Sequence, residues 1–251
     1  MLAVLATVFI VAAASSALGW LPDSGVRAVG LAAGHGALLA TAIAWAGGRA
    51  PRSAGVVLAP LLIFTAAAAS ALSPLGAAAY LAPPALVWCL TAKGGLAALG
   101  LAAPVPWPAV LAGAGFGALL GGHLLLTASL TLGYHLSVGA PGMLLGWLAY
   151  DVGANVLSSE CFFRGALFGR AERRWPFAVA VTVSTGACLV RYLVDPLLPR
   201  SAAVAAGAVF YLAVLGVAAC WLRSRTGSLL PGAAAALLFF AAYRLLAADE
   251  G

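Results

Sequence analysis

The stretch Ser159-Glu160-Cys161-Phe162-Phe163-Arg164-Gly165 sets a carboxylate and a guanidinium four residues apart inside an otherwise apolar segment. Placing a charged side chain at the bilayer centre costs on the order of 3 kcal/mol or more, so ionisable residues within a span point to function by default. The 251-residue chain holds only 13 Lys+Arg and 7 Asp+Glu, which makes this pair stand out. Hydrophobic residues make up 64% of the chain and charged ones 8%, against roughly 45–50% and 25% in soluble domains. A soluble protein this apolar would expose large patches and aggregate. Evenly spaced segments of alternating polarity are absent, so the reading is an all-α polytopic membrane protein rather than a barrel.

The net charge of +6 does not point to nucleic acid, because the basic residues are scattered through short loops and form no stripe. They read instead as loop charges that orient helices in the bilayer. Cys89, Cys161, Cys188 and Cys220 lie in apolar runs with no CxxC spacing. They read as small hydrophobes, and neither a disulfide framework, a metal site nor a cofactor is expected. The run from Met1 to Trp20 lacks a basic start and reads as a retained helix rather than a signal peptide. Lysine is nearly absent while Ala, Gly and Arg abound, a composition of high-GC bacterial genes, so the expected home is a bacterial inner membrane.

A span needs about 20 apolar residues. Apolar runs between loop signals place about nine transmembrane helices, near 2–20, 28–47, 54–72, 75–92, 106–132, 141–169, 176–195, 202–222 and 229–247. The proline-flanked segment 94–105 reads as a partial or interfacial helix. A cytoplasmic N-terminus puts Arg49, Arg52, Lys93, Arg170, Arg173, Arg174, Arg223 and Arg225 inside, with only Arg27, Arg200 and Arg244 outside. That asymmetry follows the positive-inside rule and leaves the C-terminus outside. Gly113, Gly117 and Gly121 form a stripe that lets another helix of the bundle approach closely. Pro83-Pro84 is expected to break or kink the fourth span.

From about Gly142 to Arg174 the chain reads as one long helix. Glu160 then lies about 15 Å from Arg170, inside the hydrocarbon. Glu160 and Arg164 share a face and can pair, and Asp151, Asn155, Ser158 and Ser159 extend a polar band unsuited to lipid. Two readings stand side by side. In one, Glu160 is a general base toward water and Arg164 orients it. In the other, the two neutralise one another and hold helices together.

These residues resemble a known family. Glu160-Cys-Phe-Phe-Arg164-Gly165 is similar to the first motif, Glu-Glu-x-x-x-Arg, of the CAAX-prenyl-protease and bacteriocin-processing (CPBP, or ABI) intramembrane glutamic endopeptidases. Arg225-Thr226-Gly227-Ser228-Leu229-Leu230-Pro231 is similar to the Thr-Gly-Ser-Leu-x-Pro that opens that family's last motif helix. The resemblance divides the chain into N-terminal helices over 1–140 and a CPBP-like core over 141–247. It also departs from the family pattern. The family's first glutamate falls on Ser159, and Glu160 matches the second. The second-motif histidine falls on Arg191 or Tyr192, and the last-motif histidine and asparagine fall on Ala236 and Phe240.

Groups from elsewhere would have to complete a site. His35, His123 and His135 are available; His123 is the best placed of them, and Arg191 reads as a countercharge or second polar group. The candidate catalytic set is therefore Glu160, Arg164, Arg191 and His123. Three functions remain open. One is a divergent intramembrane endopeptidase acting on a membrane-anchored or lipidated peptide. The second is a pseudoprotease that binds a transmembrane partner, and the third a small-molecule or ion transporter.

Overall fold

The computed structural model describes residues 23–46, 52–101, 105–193 and 202–248, with a few isolated positions before residue 20. The expected first span, 2–20, falls almost entirely outside the described residues. The elements are α1 (Asp23–Trp45), α2 (Arg52–Leu72), a 3₁₀ helix (Pro74–Leu81) leading into α3 (Ala82–Ala92), and α4 (Trp107–Thr131). They continue with β1 (Tyr134–Leu136), a helical stretch α5 over 141–171, α6 (Phe177–Leu193), α7 (Ala202–Thr226), α8 (Leu230–Tyr243) and β2 (Leu246–Ala248). Among the described residues five helical segments are long and apolar enough to cross a membrane: Ala28–Trp45, Ala54–Leu72, Pro74–Ala92, Trp107–Thr131 and Ala202–Thr226. The chain is a multi-pass, all-helical membrane protein, and its surroundings are a lipid bilayer.

The chain forms two compact units. The first comprises Met1–Ala97 and Ala140–Phe162, the second Ala98–Gly139 and Phe163–Gly251. In the first, α1 packs on α2 with Gly36 against the ring of Pro60; a Cβ at Gly36 would lie 2.6 Å from Pro60 Cα. The span over 75–92 changes pitch at Pro83-Pro84, passing from 3₁₀ to α. Prolines are tolerated in that first α turn because their missing N–H groups would have no helical acceptor there. Ser73 starts the 3₁₀ segment, its hydroxyl accepting from the Gly76 N–H at 3.1 Å. The segment after Lys93 is not a continuous helix. Among its described residues it has a 3₁₀ turn at Ala97–Leu99, followed by Gly100 at φ +84°.

In the second unit α4 lies along α8. A Cβ at Gly113 would strike the Pro231 carbonyl, one at Gly117 the Ala235 carbonyl, and one at Gly121 would lie 2.6 Å from Ala242 Cβ. The glycine stripe therefore does the packing expected of it, within the bundle. Gly133, at φ +69°, ends the α4 region, and β1 then pairs antiparallel with β2 in the register His135↔Ala247. This corrects the expected last span, since its helix stops at Tyr243 and residues 246–248 turn to a short ladder. All four cysteines are free thiols, three of them buried.

Replacing Gly117 by Leu should destabilise the protein by roughly 1–3 kcal/mol, because the α4–α8 backbones must separate to admit the side chain. Gly115, where an added Cβ meets nothing, provides the control. Gly115→Leu should leave unfolding in mixed detergent–SDS micelles nearly unchanged, and equal shifts for the two variants would contradict the packing assignment.

Candidate functional site

An apolar helix that carries Asp151, Asn155, Ser158, Ser159, Glu160 and Arg164 must turn them inward, because lipid offers no hydrogen-bond partners. All six are buried, Glu160 at 4% exposure and Arg164 at 3%. Their helix is not a regular α-helix throughout. Two stretches, Asp151–Asn155 and Glu160–Phe168, are π-helical, and the Val156 N–H bonds back to the Asp151 carbonyl. Such widened turns concentrate at functional sites.

In the first unit, the polar residues of α5 meet one histidine. His35 of α1, 1% exposed, sets Nδ1 2.9 Å from Ser158 Oγ and Nε2 2.9 Å from the Tyr150 hydroxyl. Both partners are hydroxyls that can donate or accept, so either neutral tautomer is satisfied. The Tyr150 ring sits edge-on to His35 at 5.7 Å and to Tyr80 at 5.5 Å. Gly153 allows this closeness, since a Cβ there would strike the Tyr80 carbonyl. One turn along, Asn155 Nδ2 donates to Asp151 Oδ1 at 3.0 Å. Ser159, the position of the family's first glutamate, keeps a buried hydroxyl with no hydrogen-bond partner among the described residues.

Ser158 and Glu160 are two residues apart, about 200° around a helix. At that spacing the Cα–Cβ bonds of Ser158, which holds His35, and Glu160 leave the helix in different directions.

In the second unit Arg164 fills a fitted slot. Its Nη1 donates to Cys188 Sγ at 3.1 Å, and the walls are Thr185 of α6 and Gly216 of α7. A Cβ at Gly216 would lie 2.8 Å from Thr185 Cγ2 and 2.9 Å from Arg164 Nη2. The slot is braced by the Ser184 hydroxyl, which donates to the Phe163 carbonyl at 2.7 Å.

The other two candidates sit at opposite ends of an aromatic chain in this same unit. His123, exposed on α4, bonds the Tyr211 hydroxyl at 2.8 Å. Tyr211 packs on Phe239 at 6.0 Å, Phe239 on Phe240 at 5.5 Å, and Phe240 on Tyr192 at 5.8 Å. Arg191 lies with its guanidinium carbon 4.4 Å from the centre of the Tyr192 ring. Thus His123, Arg191 and Arg164 belong to the second unit, and Glu160 to the first. Sequence reasoning ranked His123 above His35. The one available hint to His35 was its setting, Gly34-His35-Gly36, where small neighbours let other helices reach a buried ring.

The turn before α8 explains its own sequence. Thr226 Oγ1 accepts from the Ser228 N–H at 3.1 Å, and Ser228 Oγ accepts from the Leu230 N–H at 3.2 Å. Gly227 takes φ +69°, and its carbonyl accepts from Arg223 Nη1 at 2.6 Å.

Residues 141–239 match the family model described as type II CAAX prenyl endopeptidase Rce1-like. This segment is similar to an Rce1-like domain. The match agrees with the resemblance carried by Glu160-x-x-x-Arg164 and by the Thr226-Gly227-Ser228-Leu229 turn. No curated protein and no solved structure matches the chain.

Two substitutions probe these contacts. His35→Phe should destabilise by about 1–2 kcal/mol, read by unfolding in mixed micelles, since two interhelical hydrogen bonds are lost. Gly216→Val should destabilise by about 1–3 kcal/mol through collision with Thr185 and Arg164. A neutral Gly216→Val would mean that the slot is not tight.

Proposed function

We propose that the Rce1-like domain binds a membrane-anchored or lipidated peptide without cleaving it, as a pseudoprotease. The observation that carries this reading is the Tyr192–Phe240 ring contact at 5.8 Å, with Ala236 buried one turn before Phe240. By the motif count, Arg191 or Tyr192, Ala236 and Phe240 stand where the family carries two histidines and an asparagine. Ala236 and Phe240 offer no donor to polarise a scissile carbonyl or hold an oxyanion, usually the largest contribution to such catalysis.

A second reading is favoured by the burial of Glu160 and Arg164, both kept from the first motif. In it the protein is a divergent endopeptidase with Glu160 as base, Arg164 orienting it and water as nucleophile. Under either reading we take the chain to cross a bacterial inner membrane about nine times, N-terminus inside and C-terminus outside, with the 1–140 helices preceding the 141–247 core.

The two readings separate on a farnesylated peptide ending in a CAAX sequence, offered to the protein in nanodiscs. Saturable binding by fluorescence anisotropy is expected, with no cleavage above the protein-free control by mass spectrometry. Cleavage that drops at least about 100-fold in Glu160→Gln would establish the endopeptidase instead. Absence of both binding and cleavage would sink both readings for this substrate class.

A further inference from the structure

The second unit gathers arginines from two neighbouring helix ends. The end of α5 presents Arg170, Arg173 and Arg174, and the end of α7 presents Arg225, all four exposed. The two ends touch, since the Ser224 hydroxyl donates to Glu172 Oε1 at 2.5 Å. Glu172 and Arg173 both lie within electrostatic reach of Arg223. Arg223 itself is committed to backbone, donating to the Gly227 carbonyl at 2.6 Å and the Ala98 carbonyl at 3.4 Å. Glu172 is the one carboxylate that these two helix ends carry, and it already accepts from Ser224.

Trp175 and Trp221 stand half-exposed beside this patch, each at 50%, and the Arg225 guanidinium carbon lies 5.8 Å from the Trp221 ring centre. Tryptophan at the end of an apolar helix marks headgroup level. Guanidinium groups match phosphate oxygens in bidentate geometry. Clustered arginines immediately beside a span attract anionic lipid.

We infer that Arg173, Arg174 and Arg225, flanked by Trp175 and Trp221, form a binding site for the phosphate of an anionic lipid headgroup. Free phosphate shares the recognition chemistry. The lipid is favoured because the patch sits at the ends of apolar helices between exposed indole rings.

The test is native mass spectrometry of the full chain released from nanodiscs of equal phosphatidylglycerol and phosphatidylcholine. Wild type should retain phosphatidylglycerol preferentially. The triple variant Arg173→Gln/Arg174→Gln/Arg225→Gln should lose that preference, by about five-fold per arginine. The charge-preserving Arg→Lys triple variant, which also controls for folding, should keep most of it. Equal retention of the two lipids by wild type, or an unchanged preference in the Gln variant, would overturn the site. Displacement of the lipid by millimolar inorganic phosphate would overturn the lipid assignment in favour of a soluble anion.

Discussion

The rest of the structure depends on one requirement: the polar groups of α5 cannot face hydrocarbon. Between Asp151 and Arg164 that helix carries two acids, an arginine, an asparagine and two serines, all buried. Each neighbour supplies what its part of α5 needs. Over 140–162 the partners are His35, bonded to Ser158 and to Tyr150 of α5 itself, and Tyr80, edge-on to Tyr150. Beyond Phe163 they are Cys188, Thr185 and the gap left by Gly216. Glycines recur where helices approach because small residues let backbones close in, and in a bilayer packing supplies much of the association. Gly36, Gly113, Gly117, Gly153 and Gly216 all serve this end.

An aromatic chain from Tyr211 to Tyr192 occupies the interior of the second unit. Such ring contacts stabilise by about 0.5–1.5 kcal/mol each beyond their area. They replace directional hydrogen bonding with apolar contact, the opposite of what an oxyanion needs. His123 and Arg191 are held by this chain at its two ends, one by a hydroxyl and one by a ring face.

Much of this was legible in sequence because helices in a bilayer declare themselves by length and apolarity. The boundaries of α2, α4 and α6 fall within a few residues of the apolar runs, and Pro83-Pro84 and the Gly113–Gly121 stripe behave as their chemistry dictates. The motif residues Glu160 and Thr226-Gly227-Ser228-Leu229 pointed to the domain that 141–239 matches. What stayed hidden depends on tertiary partners. Nothing in Asp151–Asn155 or Glu160–Phe168 announces a π-helical turn. The pairing of 134–136 with 246–248 joins segments over a hundred residues apart, and a histidine's partner across helices leaves no trace in spacing. His123 was ranked by depth, whereas His35 is the histidine that meets the polar face of α5.

Survival of the Glu-x-x-x-Arg signature is therefore weak evidence for hydrolysis. Arg164 fits between Cys188, Thr185 and Gly216, and that fit would require the arginine whether or not any bond is cut. A guanidinium removed from a closed slot leaves both a void and polar groups stripped of a partner, each destabilising on its own. The same holds for the Thr226–Ser228 turn, whose hydroxyls satisfy the backbone at the start of α8. Both signature elements have structural duties that hold whether or not the protein is a catalyst. A scaffold of this kind keeps its recognisable sequence because the bilayer demands its internal bonds, and its chemistry must be judged from the positions where it departs from the family motifs: Ser159, Tyr192, Ala236 and Phe240.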